Sequence, residues 1–301
     1  VADQFIEHGY AVTVLDNLSS GDRANVPAEA EFVETSITSD DASRLVREGG
    51  FDVIAHLAAQ IDVRKSVADP VFDATVNVVG TLNLLEAVRA SRGPTRFVFS
   101  STGGALYGDF VTPPNDEEFP KDPESPYGIA KLSAEYYMAY YSRLHGLEGV
   151  ALRYANVYGP RQNPHGEAGV VAIFCNRLLS DEPVTIFGDG RQTRDYVHVD
   201  DVVAAFLAAA EQPQAVGARV NIGTGVETSV LELYAALREV AGFGPEPTFA
   251  PARQGELQRI ALDAAAAGRA LDWRPEISLA EGLAGTWAWA FQEVNAGSVG
   301  G

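Results

Sequence analysis

At 301 residues the chain is long enough for one large α/β domain or two linked smaller ones, and its 46% hydrophobic and 21% charged content is globular rather than disordered. A net charge of −19, with three lysines among 22 basic residues, repels nucleic acid and anionic membranes, so neither is expected as a partner and any phosphate site needs locally placed arginines. One cysteine, Cys175, excludes an internal disulfide; with apolar runs short of the ~18 residues of a membrane span and no secretory leader at Val1, it points to the cytoplasm.

Residues 1–8 read as the end of a helix stopped by Gly9, and residues 11–15 as a buried strand leading to Asp16. An acid there can accept both ribose hydroxyls of an adenosine and repel a 2′-phosphate, or can simply serve the turn that follows. Residues 31–34 read as the next strand, and a short helix starts near Ser39, with Asp40 and Asp41 complementing its dipole. Residues 51–59 read as an apolar strand ending in small residues that let backbone approach a ligand; His56 within it is expected to be packed core. Asp69 and Pro70 open one long helix to about Arg92, carrying Asn77. Residues 96–108 read as a strand ending in the hydroxyls of Ser100, Ser101 and Thr102 and a glycine-rich turn.

The run Ser125-Pro126-Tyr127-Gly128-Ile129-Ala130-Lys131 organises the rest. Ser125 can cap a helix and Pro126 fits its first turn, so Tyr127 and Lys131, four residues apart, share one face. A free phenol titrates near 10, and bringing it into use at neutral pH requires about 4 kcal/mol, which a nearby lysine favours. An amphipathic helix offers the same pair by chance. The hydroxyl-tipped strand upstream distinguishes the two readings, because Thr102 can meet Tyr127 at the carboxyl end of a strand, where open α/β sheets hold ligands.

Residues 150–154 read as a further strand, and residues 162–169, with a solvated His165, as mobile cover over the site. After a helix ending near Leu179, Gly188-Asp189-Gly190 makes a tight turn, and Asp200 and Asp201 are expected to cap the next helix. Residues 219–223 form a short strand, and Ser229 with Glu232 a capping box. Two capped helices fill residues 263–294, with Trp273, Trp287 and Trp289 in the core, and residues 295–301 are a flexible tail. The sequence holds no internal repeat and no metal-ligand cluster.

These motifs recur in order from Val1 to about Val294, and on them the chain resembles an extended short-chain dehydrogenase/reductase. Within that group it is similar to nucleotide-sugar epimerases of the UDP-glucose 4-epimerase kind. The resemblance implies a Rossmann-like doubly wound parallel sheet with a smaller C-terminal α/β substrate domain. It also implies a strand and a Gly-x-x-Gly-x-x-Gly turn ahead of Val1. Residues 1–154, with 194–222 returning to them, would bind NAD; residues 155–193 and 223–301 would bind the nucleotide sugar. The implied catalytic residues are Thr102, Tyr127 and Lys131, with Lys131 lowering the Tyr127 pKa. The implied NAD contacts are Asp16, Asn17, Ser19, Ser20 and Gly21; Ser36, where the family has an aspartate, and Ile37; Leu57, Ala58, Ala59 and Gln60; and Asn77, Ser100, Ser101 and Tyr154, beside Tyr127 and Lys131. The implied substrate contacts are Asn156, Thr185, Phe187, Arg194, Arg253, Glu256 and Ile260, beside Thr102. A UDP-hexose epimerised at C4 is the expected substrate, with UDP-glucuronate or a UDP-N-acetylhexosamine as alternatives. A nucleotide-sugar dehydratase or decarboxylase, which shares the oxidation step, is a further alternative; dehydratases of this fold carry an Asp-Glu pair where this chain has Gly103 and Gly104, which argues for epimerisation. A non-catalytic nucleotide sensor is the reading from another class, opposed by the intact Thr102, Tyr127 and Lys131. Two helices, residues 69–92 and 127–144, are apolar on more than one face, and a homodimer is expected through them.

Overall fold

A computed structural model of the chain describes residues 1–108, 112–164, 169–253, 255 and 257–297. It begins with α1 (Ala2–Glu7), the parallel pair β1 (Thr13–Asp16) and β2 (Glu31–Glu34), and α2 (Asp40–Gly49). Ser39 caps α2 through the Ala42 N–H, and Gly50 closes it in the left-handed conformation. β3 (Val53–His56) is shorter than the expected residues 51–59. Beyond it the Gln60 peptide is hydrogen-bonded by the Asn77 side chain instead of a neighbouring strand.

α3 (Val63–Ala68), absent from the sequence reading, precedes α4 (Pro70–Ala74), a π-turn (Thr75–Val79) and α5 (Gly80–Arg89). The last three run on as one 20-residue helix, Pro70–Arg89, long and apolar enough by composition to span a membrane. This corrects the expectation that no such segment exists. Asp73, Asn77 and Thr81 are nonetheless buried along it, and Leu84 and Leu85 pack on the sheet, as in a core helix.

There follow β4 (Arg96–Thr102), α6 (Pro126–His145), β5 (Glu148–Tyr154), β6 (Asn156–Tyr158) and α7 (Val170–Leu179). Next come β7 (Thr185–Phe187), β8 (Thr193–Arg194), β9 (Tyr196–His198), α8 (Val199–Glu211) and β10 (Arg219–Ile222). The chain ends with β11 (Thr228–Ser229), α9 (Val230–Ala241), β12 (Thr248–Ala250), α10 (Ala265–Leu271) and α11 (Leu279–Gly297).

The central sheet is parallel, in the order β10-β5-β4-β3. Alternation along β4 sends Phe97 and Phe99 to one face, with Leu85 of α5 and Met138 of α6, while Val98 meets Phe206 of α8 on the other. Helices on both faces make the doubly wound architecture expected. A further core joins α7, α9 and α11 through Phe174, Leu233 and Leu283. β1 and β2 form a separate pair, and a cavity of about 860 Å³ is lined by Val12 and Val14 on one side and Val53 and Ala55 of β3 on the other.

Some local expectations change. His198, not Asp200 or Asp201, caps α8; Asp201 turns away to accept the Glu276 and Ile277 N–H groups. Trp273 is core, whereas Trp287 and Trp289 are only half-buried. The Ser229–Glu232 capping box is formed. His165, Glu256 and the end of the tail lie outside the described residues.

Candidate active site

The first turn of α6 is pinned to the loop after β4. Ser125 accepts the Gly128 N–H (3.2 Å), and a Cβ on Gly128 would stand 2.5 Å from the Ala105 carbonyl oxygen. Only glycine permits that approach, and the approach brings Tyr127 to the carboxyl end of β4. One turn on, Lys131 is 4% exposed and donates to the Ser100 carbonyl at 2.8 Å. Its ammonium lies 4.8 Å from the Phe99 ring centroid and 5.9 Å from that of Tyr127. Thr102 ends the same strand, its hydroxyl accepting the Ala105 N–H (3.3 Å).

A buried network unseen in the sequence underpins this corner. Ser101 donates to Glu135 at 2.6 Å, and Arg153 reaches the same carboxylate through two nitrogens, at 3.0 and 2.7 Å. Arg153 also donates to the Tyr107 hydroxyl (3.1 Å), which donates to Asn221 (2.7 Å). The network ties β4, β5, β10 and α6 together directly behind Thr102 and Lys131.

Burial dominates the electrostatics of the pair. Burial pushes the Tyr127 phenol well above its ordinary range, and the Asp73 carboxylate adds to the effect. Burial also pushes Lys131 itself down to about 8, against the pull of Asp73 and Glu135. The site taken alone therefore keeps its phenol protonated at neutral pH. Burial likewise raises Tyr154, with Ser100 opposing and Tyr127 reinforcing.

On the expected cofactor side, Asp16 ends β1 and Leu57, Ala58 and Ala59 follow β3; with Ser20, Gly21 and Ile37 they line the space between those two strands. Asp16 Oδ1 takes the Leu18 N–H (2.7 Å), and a Cβ on Gly21 would stand 3.1 Å from its other oxygen. That bare-backbone cradle beside an acid fits an adenosine ribose. Asn17 accepts the Ser19 N–H, and the Ser36 hydroxyl meets that of Thr38. The Asn77 side chain clasps the Gln60 backbone in both directions, each bond 2.9 Å. The π-turn around Asn77 aims it there, and His56 and Thr81 support that turn: Thr81 donates to the Asn77 carbonyl (2.7 Å) and His56 meets Thr81 at 2.9 Å. With the Thr81 proton so used, His56 Nε2 is the donor, a neutral core histidine held down to about 3 by burial.

On the expected substrate side, Asp195 organises the residues, although the sequence reading passed over it. Its carboxylate takes the N–H groups of Thr224, Gly225 and Leu262, and its carbonyl that of Asn156 (2.8 Å). Arg194 donates to the Thr193 carbonyl, and the Arg253 guanidinium stacks 4.0 Å from the Phe187 centroid. Thr185 is exposed and meets Thr248 at 3.3 Å, whereas Ile260 is buried. A Cβ on Gly103 would come within 2.3 Å of a Leu262 methyl, so a side chain there requires Leu262 to move; one on Gly104 meets nothing nearer than Ile260, at 4.0 Å. Asp73 and Glu135 share the signal that could have revealed them, an acid set among mostly apolar neighbours where burial demands a partner, whereas Asp195 follows the polar run Gln192-Thr193-Arg194 and carries no such signal.

A sequence model of the NAD dependent epimerase/dehydratase family matches residues 1–223. The chain is 47% identical, over 95% of its length and 92% of the relative's, to UDP-glucose 4-epimerase of Mycolicibacterium smegmatis. Its fold superimposes with a TM-score of 0.94 on UDP-glucose 4-epimerase of Thermotoga maritima with UDP-glucose, at 46% identity over 97% of this chain and 94% of that one. For the Thermus thermophilus enzyme complexed with NAD the TM-score is 0.89, at 41% identity over 96% and 93%.

Proposed function

Because the chain belongs to the NAD dependent epimerase/dehydratase family, we propose that it is a UDP-hexose 4-epimerase interconverting UDP-glucose and UDP-galactose through a transient 4-keto sugar. The observation that carries the catalytic assignment is the Lys131–Ser100 bond, which fixes the ammonium one turn from Tyr127 beside Thr102. NAD, when bound, would supply the redox chemistry at C4 of the sugar. Tyr127 holds and moves the proton of the sugar 4-hydroxyl, with Thr102 orienting that hydroxyl. Lys131, charged and fixed, favours the phenolate that burial alone opposes. The Asn77–Gln60 clasp sets the backbone that follows Ala59, and Asp16 receives the adenosine ribose and selects NAD over NADP.

Arg194 and Arg253 supply the cations for the substrate diphosphate, a local necessity in a chain of net charge −19. Residues 1–154 with 194–222 serve the cofactor and residues 155–193 with 223–301 the sugar, a division supported by β10 joining β5 in the central sheet. The enzyme works in the cytoplasm as a homodimer. Elimination is disfavoured because Gly103 and Gly104 leave no acid beside Thr102. The test is direct: with NAD and UDP-galactose, the anomeric proton of UDP-glucose should grow in by NMR until equilibrium. A spectrum unchanged after many turnover times would overturn the reading.

A further inference from the structure

Asp73 is 1% exposed on α4, yet only half of its carboxylate is used. Oδ1 accepts from the Gln60 and Asn77 side-chain amides, each at 2.9 Å, while buried Oδ2 has no hydrogen-bond partner. A free carboxylate oxygen in such a place costs several kcal/mol unless a nearby cation compensates it. Lys131 is the matching case, a buried ammonium whose bond goes to the neutral Ser100 carbonyl.

We propose that Asp73 is a positioning residue of this site, the buried counter-charge of Lys131, whose other oxygen locks the Gln60–Asn77 clasp. α4, which carries Asp73, packs directly against α6, and the other groups facing Lys131 leave this role to Asp73. β4 offers a carbonyl and the Phe99 ring, and β3 offers His56, held neutral. On α6 itself stand Tyr127 and Glu135, and Glu135 is already neutralised by Arg153 at 2.7 Å. Among the described residues Asp73 is thus the one acid acting on Lys131 that has no cation of its own. The same negative charge discourages ionisation of Tyr127. Asp73 therefore acts on both members of the pair, keeping the lysine charged and the phenol protonated until substrate and cofactor are in place. This rests on the catalytic roles given to Tyr127 and Lys131 above.

The chain has three lysines, Lys65, Lys121 and Lys131, so selective ¹³C labelling of lysine gives a titration with few signals, and Lys131→Arg assigns the one of interest. On protein without substrate, that signal should have its midpoint near 8. Asp73→Asn keeps an acceptor for Gln60 and Asn77 but removes the charge, and should lower the midpoint by about one pH unit while Lys65 and Lys121 stay put. Asp73→Ala should lower it similarly and also weaken NAD binding, because the clasp loses its anchor. Asp73→Glu, which retains the charge, should restore the native midpoint. In turnover assays, Asp73→Asn should move the acid limb of the kcat profile to lower pH. A Lys131 midpoint that stays put in folded Asp73→Asn or Asp73→Ala protein overturns the proposal. Because the titration needs no sugar substrate, its failure is distinguishable from failure of the epimerase reading.

Discussion

Tyr127 and Ile260 carry the sharpest tests because each stands for one step, proton transfer and sugar choice. Tyr127→Phe removes a hydroxyl without changing the packing of the ring, and should lower kcat by at least ~10²-fold, the usual scale for a lost general acid–base. Thr102→Val should cost less, since Thr102 orients the hydroxyl and does not carry charge. Near-native turnover of Tyr127→Phe in a UDP-galactose assay would remove the phenol from the mechanism. Ile260 is buried, and a Cβ on Gly104 would lie 4.0 Å from it. It is branched and stiff, but lacks the reach of a phenol. Ile260→Ser should therefore raise, and Ile260→Tyr lower, turnover of UDP-N-acetylhexosamines relative to plain hexoses. A group of that size is worth about 1–3 kcal/mol, a change of roughly 10- to 200-fold in the ratio of kcat/KM values. Equal ratios in both variants would place the sugar elsewhere. These side chains were legible because their motifs lie contiguous in the sequence. Asp73, Glu135 and Asp195 were not, because their roles depend on partners far along the chain, as with Glu135 and Arg153.

At the scale of elements, helix α6 was read almost to the residue, since Ser125 and Pro126 mark its start chemically, and Gly146 closes it in the structure. The π-turn escaped notice because it leaves no mark in composition; it arises from the His56–Thr81–Asn77 contacts, which no local pattern announces. Two substitutions test whether α6 is held as rigidly as its role requires. Gly128→Ala drives a Cβ to 2.5 Å from the Ala105 carbonyl and 2.9 Å from Pro123, neither of which is a flexible side-chain end. It should cost on the order of 1–3 kcal/mol and depress kcat by displacing Tyr127. Gly93→Ala, whose Cβ meets nothing within 4 Å, is the control and should leave both unchanged. Glu135→Ala strands the Arg153 guanidinium, 3% exposed, and should lower stability by about 3–5 kcal/mol. Thermal melts of the three variants read the stability effects, and turnover assays read the change in kcat. A native melting temperature for Gly128→Ala would mean that the loop after β4 can yield.

For the whole molecule, the open question is what covers the outer faces of the two helices that flank the site. Both helices use one face for the sheet, yet Val71 and Val79 on one and Ile129, Tyr136, Tyr140 and Leu144 on the other remain largely exposed. Their helical spacing places them in stripes, and the aromatics among them are the residue types enriched in protein interfaces. In a chain of net charge −19, an uncharged stripe is also the surface on which two like-charged copies repel least. A second copy meeting the first through both helices gives a four-helix, two-fold packing, and such isologous contacts close on themselves. Tyr140 and Leu144 lie at the far end of α6 from Tyr127, so the double variant Tyr140→Glu, Leu144→Glu can break the interface without touching the catalytic turn. Light scattering at micromolar concentration should give twice the single-chain mass for the native protein and the single-chain mass for the variant. The variant should also melt earlier, because α6 loses packing on its outer face, while kcat measured below that melt should fall less than tenfold. A native protein that scatters as a single chain would mean that something other than a second copy covers these stripes.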